Sequence, residues 1–126
     1  MKYSKLMDYS VLLKIQSIYF LGTGIWPLVS ISTFLDITGP KNDLWLVKVV
    51  GILISVIGFV LLVASFDKKR NHPIILLAIA SSAALGLVDI VFFVSNTIPA
   101  IYLLDAVAEF ILILLWAWNI RTRRKL

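Results

Sequence analysis

The sequence predicts an all-α protein, a four-helix transmembrane bundle that forms one domain over residues 1–126 with both termini on the cytoplasmic side. Three observations carry that prediction. Sixty per cent of the residues are apolar and only 15% are charged, giving a mean hydropathy of +0.97, outside the range of soluble chains. The apolar residues gather in four stretches, about 11–35, 44–66, 74–95 and 100–120, each matching the roughly 20 residues that a helix needs to cross a bilayer. Lys and Arg alternate between the connecting segments: two precede the first helix, one lies in the first loop, three in the second, none in the third and four in the tail. Basic residues mark the cytoplasmic side, so the termini and the second loop are placed inside.

The first stretch, from Val11 to about Leu35, lacks the short apolar core and small-residue cleavage site of a signal peptide and is expected to be retained. Lys14 lies near its start and can extend its amine to the interface. Pro27 cannot donate to the Thr23 carbonyl, which predicts a bend. Asp36 to Asp43 breaks the pattern with a Gly-Pro turn, and Asn42 or Asp43 can cap the next helix. Thr38-Gly39-Pro40-Lys41 forms either a lid beside a glycine hinge or a rigid turn. The second helix, Leu44 to Phe66, holds 18 consecutive uncharged residues from Val49 to Phe66. A basic loop, Asp67 to Pro73, follows, and Pro73 suits the first turn of the third helix. Asn96 to Pro99 turns the chain into the fourth helix, which ends in Arg121-Thr122-Arg123-Arg124-Lys125. Trp116 and Trp118 at the inner end, with Trp45 and Tyr102 at the outer end, fit interfacial belts. The basic loop and tail either determine topology or also bind anionic headgroups.

Each helix carries one stripe of small or polar residues at 3 and 4 spacing. These are Gln16, Tyr19, Thr23, Trp26, Ser30 and Thr33 on the first; Lys48, Gly51, Ser55, Gly58, Leu62 and Ser65 on the second. Ala78, Ser82, Gly86, Asp89 and Phe93 follow on the third, and Tyr102, Asp105, Glu109, Leu112 and Trp116 on the fourth. Such stripes are what a bundle seam needs.

The acids call for more. An acid facing lipid costs on the order of 2.5 to 3.5 kcal/mol, so Asp105 and Glu109, one turn apart on one helix face, are expected to look inward. With the predicted topology, Asp89, Asp105, Glu109, Lys48 and Asp36 all fall in the outer half. The expected ligand- or proton-binding group is therefore Asp89, Asp105, Glu109, Lys48 and Asp36, with Trp26, Tyr102, Thr23 and Ser55 as the pocket wall. Mutual repulsion and desolvation oppose full ionisation of acids crowded together, so a shared proton or a bound cation is expected. The competing expectation is a buried network that only fixes helix register, with Lys48 bridging two carboxylates.

Several classes are excluded or disfavoured. There is no cysteine, hence no disulfide, thiol redox or thiolate metal site, and the single histidine, His72, lies in a polar loop. No metal and no cofactor is expected. The net charge of +5 comes from residues at helix ends rather than along one face, which argues against nucleic acid.

The stretch from Phe34 to Lys48, containing Ile37-Thr38-Gly39-Pro40-Lys41, together with Tyr102-Leu103-Leu104-Asp105-Ala106-Val107-Ala108-Glu109, resembles an uncharacterised family of small bacterial four-helix membrane proteins. That resemblance would cover nearly the whole chain and implies a bacterial inner membrane, but no activity. More loosely, and in plan only, the chain is similar to the EXPERA families, which include the sigma-2 receptor and emopamil-binding sterol isomerase. Those carry carboxylates in a membrane pocket for sterols or cationic amphiphiles. This sequence lacks an intramembrane histidine, and no catalytic residue carries over.

Three functional expectations follow. The first is binding, and with proton coupling transport, of a cationic or amphipathic small molecule in a pocket open to the outer side or to the outer leaflet of the membrane lipid; for transport, four helices leave little room for two gates, which points to a homodimer. The second is a membrane enzyme using carboxylate acid/base chemistry on a lipid or isoprenoid; the absence of a nucleophile motif, a phosphate-binding loop or a metal set weighs against it. The third is a structural or accessory subunit.

Overall fold

The computed structural model describes residues 8–124, so Lys2, Lys5 and Lys125 of the predicted cytoplasmic charge lie outside the described residues. Among the described residues the chain is helical without strands: α1 (Tyr9–Val29), α2 (Ile31–Thr38), α3 (Leu44–Ala64), α4 (His72–Val94) and α5 (Tyr102–Arg124). Four of the five, all but α2, are long and apolar enough to cross a membrane.

Five helices rather than four is a correction. The predicted first helix is broken at Ser30, which leaves helical geometry with φ −143° and ψ 83°. Pro27 remains inside α1, and the break comes three residues later. Ser and Thr side chains offer the backbone local alternatives to a helix, and here they hold the corner. Thr33 donates to the Ser30 hydroxyl and carbonyl at 2.8 and 3.2 Å, and Trp26 Nε1 donates across the break to Thr33 Oγ1 at 3.0 Å. α2 then ends at Gly39, whose φ of +95° is open to glycine at little cost and whose N–H reaches the Leu35 carbonyl at 2.8 Å.

α1 packs along α3, and α4 along α5. The first pair meets closely because glycine lies on both sides. A Cβ at Gly24 would stand 2.5 Å from Ser55 Oγ and 2.7 Å from the Gly51 carbonyl oxygen, and one at Gly58 would stand 3.0 Å from Phe20 Cβ. Ser55 satisfies its own hydroxyl on the Gly51 carbonyl at 2.7 Å. The outward face of α3 presents Leu53, Val56, Phe59 and Val63, an apolar exterior suited to lipid rather than water.

The core lies toward one end of the bundle, the base, which holds the start of α1, the α3–α4 turn and the end of α5. Tyr9, Leu12, Leu13, Leu61, Ile75, Ala78 and Trp116 form one buried cluster there. Trp116 is therefore not at an exposed interface as its position near a helix end suggested. It is fully buried, edge-on to Tyr9 at 6.1 Å, and donates Nε1 to Gln16 Oε1 at 2.8 Å. Gln16 in turn donates Nε2 to the Ala78 carbonyl at 2.9 Å and Ser82 Oγ at 3.1 Å, so one buried amide ties α1 to α4 and α5. Trp118 and Trp45 are exposed. The base is closed further by Arg70, which donates to Asn119 Oδ1 at 2.8 Å and lies over the Tyr9 ring. Asn71 caps α4 by accepting from the Ile74 N–H, with Pro73 in the first turn. Asp43 occupies the cap position of α3, but its side chain makes no capping bond.

Candidate functional site

At the opposite end, the mouth, the four long helices separate around a cavity of about 480 Å³, within the range of small-molecule sites. On α4, Ser82, Gly86 and Asp89 recur at helical spacing and are all buried. On α5, Asp105, Glu109, Leu112 and Trp116 recur at the same spacing, the last three buried and Asp105 half-buried. Gly86 stands opposite the longer acid, where a Cβ would meet Glu109 Cβ at 3.4 Å, an ordinary contact. Asp89 and Glu109, 6% and 1% exposed, and the half-buried Asp105 all line the cavity. The Ser82 hydroxyl accepts from Gln16 Nε2 at 3.1 Å. Tyr19 of α1 donates its hydroxyl to Asp105 Oδ1. Two oxygens, Asp89 Oδ2 and Glu109 Oε1, are buried with no hydrogen-bond partner. Buried acceptors in native proteins are rarely left so, and each such case asks for a reason.

The walls are apolar and aromatic. Trp26 and Thr23 line the α1 side and Tyr102 the α5 side. Trp26 meets Phe34 edge-on at 5.1 Å, and α2 with the following loop makes the roof through Phe34, Ile37, Thr38 and Lys41. Lys41 is fastened there. Its ammonium donates to the Thr38 carbonyl, Thr38 Oγ1 and the Gly39 carbonyl at 3.2, 2.9 and 3.1 Å, and lies over the Phe34 and Tyr102 rings at 5.4 and 5.2 Å. Between α3 and α4, which touch at few points, the cavity is flanked by Val50 and Val88, 48% and 49% exposed, so its side wall is continuous with the apolar exterior.

Of the nine residues expected at the site, six line this cavity: Asp89, Asp105, Glu109, Trp26, Tyr102 and Thr23. Lys48 and Asp36 are exposed and lie outside the lining. At that level α3 faces the cavity with Val47, Val50, Gly51 and Ile54, and Lys48 sits about 100° around the helix from Val47. Asp36 sits about 200° from both Phe34 and Thr38, on the far face of α2. Ser55 is half-buried in the α1–α3 crossing instead. Tyr19 and Lys41 went unpredicted as site residues. Tyr19 belongs to the polar stripe of its helix, and Lys41 to the segment read as a lid or a rigid turn. Among the described residues, no three of His, Cys, Asp and Glu come together as ligands for a metal ion. In comparisons with family models, with curated proteins and with solved structures, nothing matches this chain.

Proposed function

We propose that this chain is a four-span protein of a bacterial inner membrane, with both termini cytoplasmic, whose mouth cavity binds a cationic or amphipathic small molecule. The observation that carries this reading is the pair of unpartnered, buried carboxylate oxygens on Asp89 and Glu109 in the wall of an apolar cavity. A carboxylate has no donor of its own, so acids gathered in one cavity wall are reconciled by a proton on one of them or by an outside donor. Exchange of that proton for a bound cation is the proposed mechanism. The alternating apolar spans and the basic inner segments support the topology. The hydrogen-bonded layer of Gln16, Ser82 and Trp116 lies between the cavity and the base, which supports access from the mouth or the side. Transport would require that layer to rearrange, or a second copy of the chain.

The test is binding of lipophilic amines to the purified protein, read as a rise in melting temperature. Glu109→Gln is expected to weaken binding and to change its dependence on pH. Unaltered affinity and an unaltered pH profile would refute the reading.

A further inference from the structure

We infer that the ligand of this cavity is a protonated primary or secondary amine on an apolar body, selected through its N–H groups rather than through its charge alone. The inference rests on the proposed function and sharpens it.

A cation can be held in two chemically distinct ways. Quaternary ammonium ions, which have no N–H, are held by the faces of aromatic rings. Ammonium ions with N–H groups are held by acceptors, and charge-assisted bonds to carboxylates are the strong ones. This cavity has both kinds of surface. Of its aromatic residues, Phe34 and Tyr102 already carry the Lys41 ammonium, Trp26 packs edge-on to Phe34, and Tyr19 turns its hydroxyl to Asp105. The α4 and α5 sides hold Asp89 and Glu109, whose Oδ2 and Oε1 are buried acceptors without a hydrogen-bond partner. Asp105 Oδ1 accepts from Tyr19. An ammonium with two N–H groups brings a donor for each of these oxygens and a charge opposite to that of the acids. A neutral alcohol supplies one donor and no charge.

The remaining lining is apolar or aromatic, with Ile54, Leu85, Val88 and Ile101 among it, so the amine must carry a hydrocarbon body. Aminophospholipid headgroups share the ammonium, but hold their phosphate two carbons away. Seating one here would bring a second negative charge against Asp89, Asp105 and Glu109, so a free amphipathic amine is the occupant the site favours.

The experiment is a titration of the full-length protein in neutral detergent with four probes of equal chain length: decylamine, N-methyldecylamine, decyltrimethylammonium and decanol. Affinity is read from Trp26-sensitive fluorescence and from the shift in melting temperature. Decylamine and N-methyldecylamine are expected to bind about tenfold or more tightly than the trimethyl ion, the scale of one lost charge-assisted bond. Asp89→Asn and Glu109→Gln are each expected to shrink that preference. In nanodiscs, replacing phosphatidylcholine by phosphatidylethanolamine is expected to leave decylamine affinity unchanged; competition by that lipid would assign the site to the headgroup and overturn the choice of a free amine. If the trimethyl ion binds within about twofold of decylamine, selection by N–H groups is wrong while cation binding stands. If decanol binds as tightly as the amines, or no probe binds, the proposed function fails with it. Because the selectivity ratio is measured on the unaltered chain, the outcome does not depend on the variants folding.

Discussion

The crossing of α1 and α3 gives the most direct test of the packing that shapes the cavity. Replacing Gly24 with Ala puts a methyl carbon 2.5 Å from Ser55 Oγ, 2.7 Å from the Gly51 carbonyl oxygen and 2.8 Å from the Ser55 backbone nitrogen. The hydroxyl can rotate, but the two backbone atoms cannot. Short carbon–oxygen contacts end near roughly 3.3 Å, so α3 must retreat by about 0.6 Å. Overpacking of that kind costs about 1 to 3 kcal/mol. Gly22, two residues earlier on the same helix, has nothing within 4 Å of its missing Cβ, and its replacement by Ala carries the same gain in helix propensity without the clash. The two variants share the propensity term, so their difference isolates the packing term. Gly24→Ala is expected to be about 1 to 3 kcal/mol less stable than Gly22→Ala in unfolding by sodium dodecyl sulfate from mixed micelles, followed by far-ultraviolet circular dichroism. Adding Gly51→Ala to Gly24→Ala should then cost less than it does alone, because the first substitution has already parted the helices. A Gly24→Ala variant as stable as Gly22→Ala would mean that the two helices do not cross at this distance, and the cavity floor drawn from that crossing would fall with it.

Three further outcomes follow from the same contacts. Gln16→Leu leaves the Trp116 indole N–H buried without its acceptor and should cost about 1 to 3 kcal/mol in the same unfolding assay; a neutral result would show that water or another acceptor serves Trp116. Tyr19→Phe removes the hydroxyl that Asp105 accepts from, and is expected to destabilise the protein by about 1 kcal/mol, with no change in helix content by circular dichroism. Lys41→Met releases the three bonds from the ammonium to Thr38 and Gly39. Hydrogen exchange over residues 31–43 should then quicken by about tenfold, the equivalent of roughly 1.4 kcal/mol, while exchange over α4 and α5 stays as it was; unchanged exchange over 31–43 would show that Lys41 does not fasten the roof.

The spans and their buried faces were legible because they are written in local periodicity. Ala78, Ser82, Gly86 and Asp89 on α4, and Glu109, Leu112 and Trp116 on α5, follow from spacing alone, and all are buried. Partnership between helices was not legible in the same way. Spacing puts Trp116 on the buried face, but its partners, the Tyr9 ring and the amide of Gln16 a hundred residues away in sequence, lie on another helix and are not written in that spacing. Lys48 lies in register with Gly51, yet near the mouth the cavity-facing side of α3 has moved to Val47 and Val50. A stripe drawn at constant spacing cannot report where the neighbouring helix stops.

That stopping point connects the missed features. Had α1 continued in line past Ser30, Thr33 and Phe34 would extend its stripe toward the mouth. The corner at Ser30 instead turns α2 across the bundle, which brings Phe34, Thr38 and Lys41 into the cavity lining as its roof. Lys41 thus reaches the aromatic faces of Phe34 and Tyr102 from a loop, while Lys48, one helical turn into α3, points away. Pro27 announces that the helix is weakened but not where it gives way; the hydrogen bonds among Trp26, Ser30 and Thr33 decide that, and with it which lysine belongs to the site.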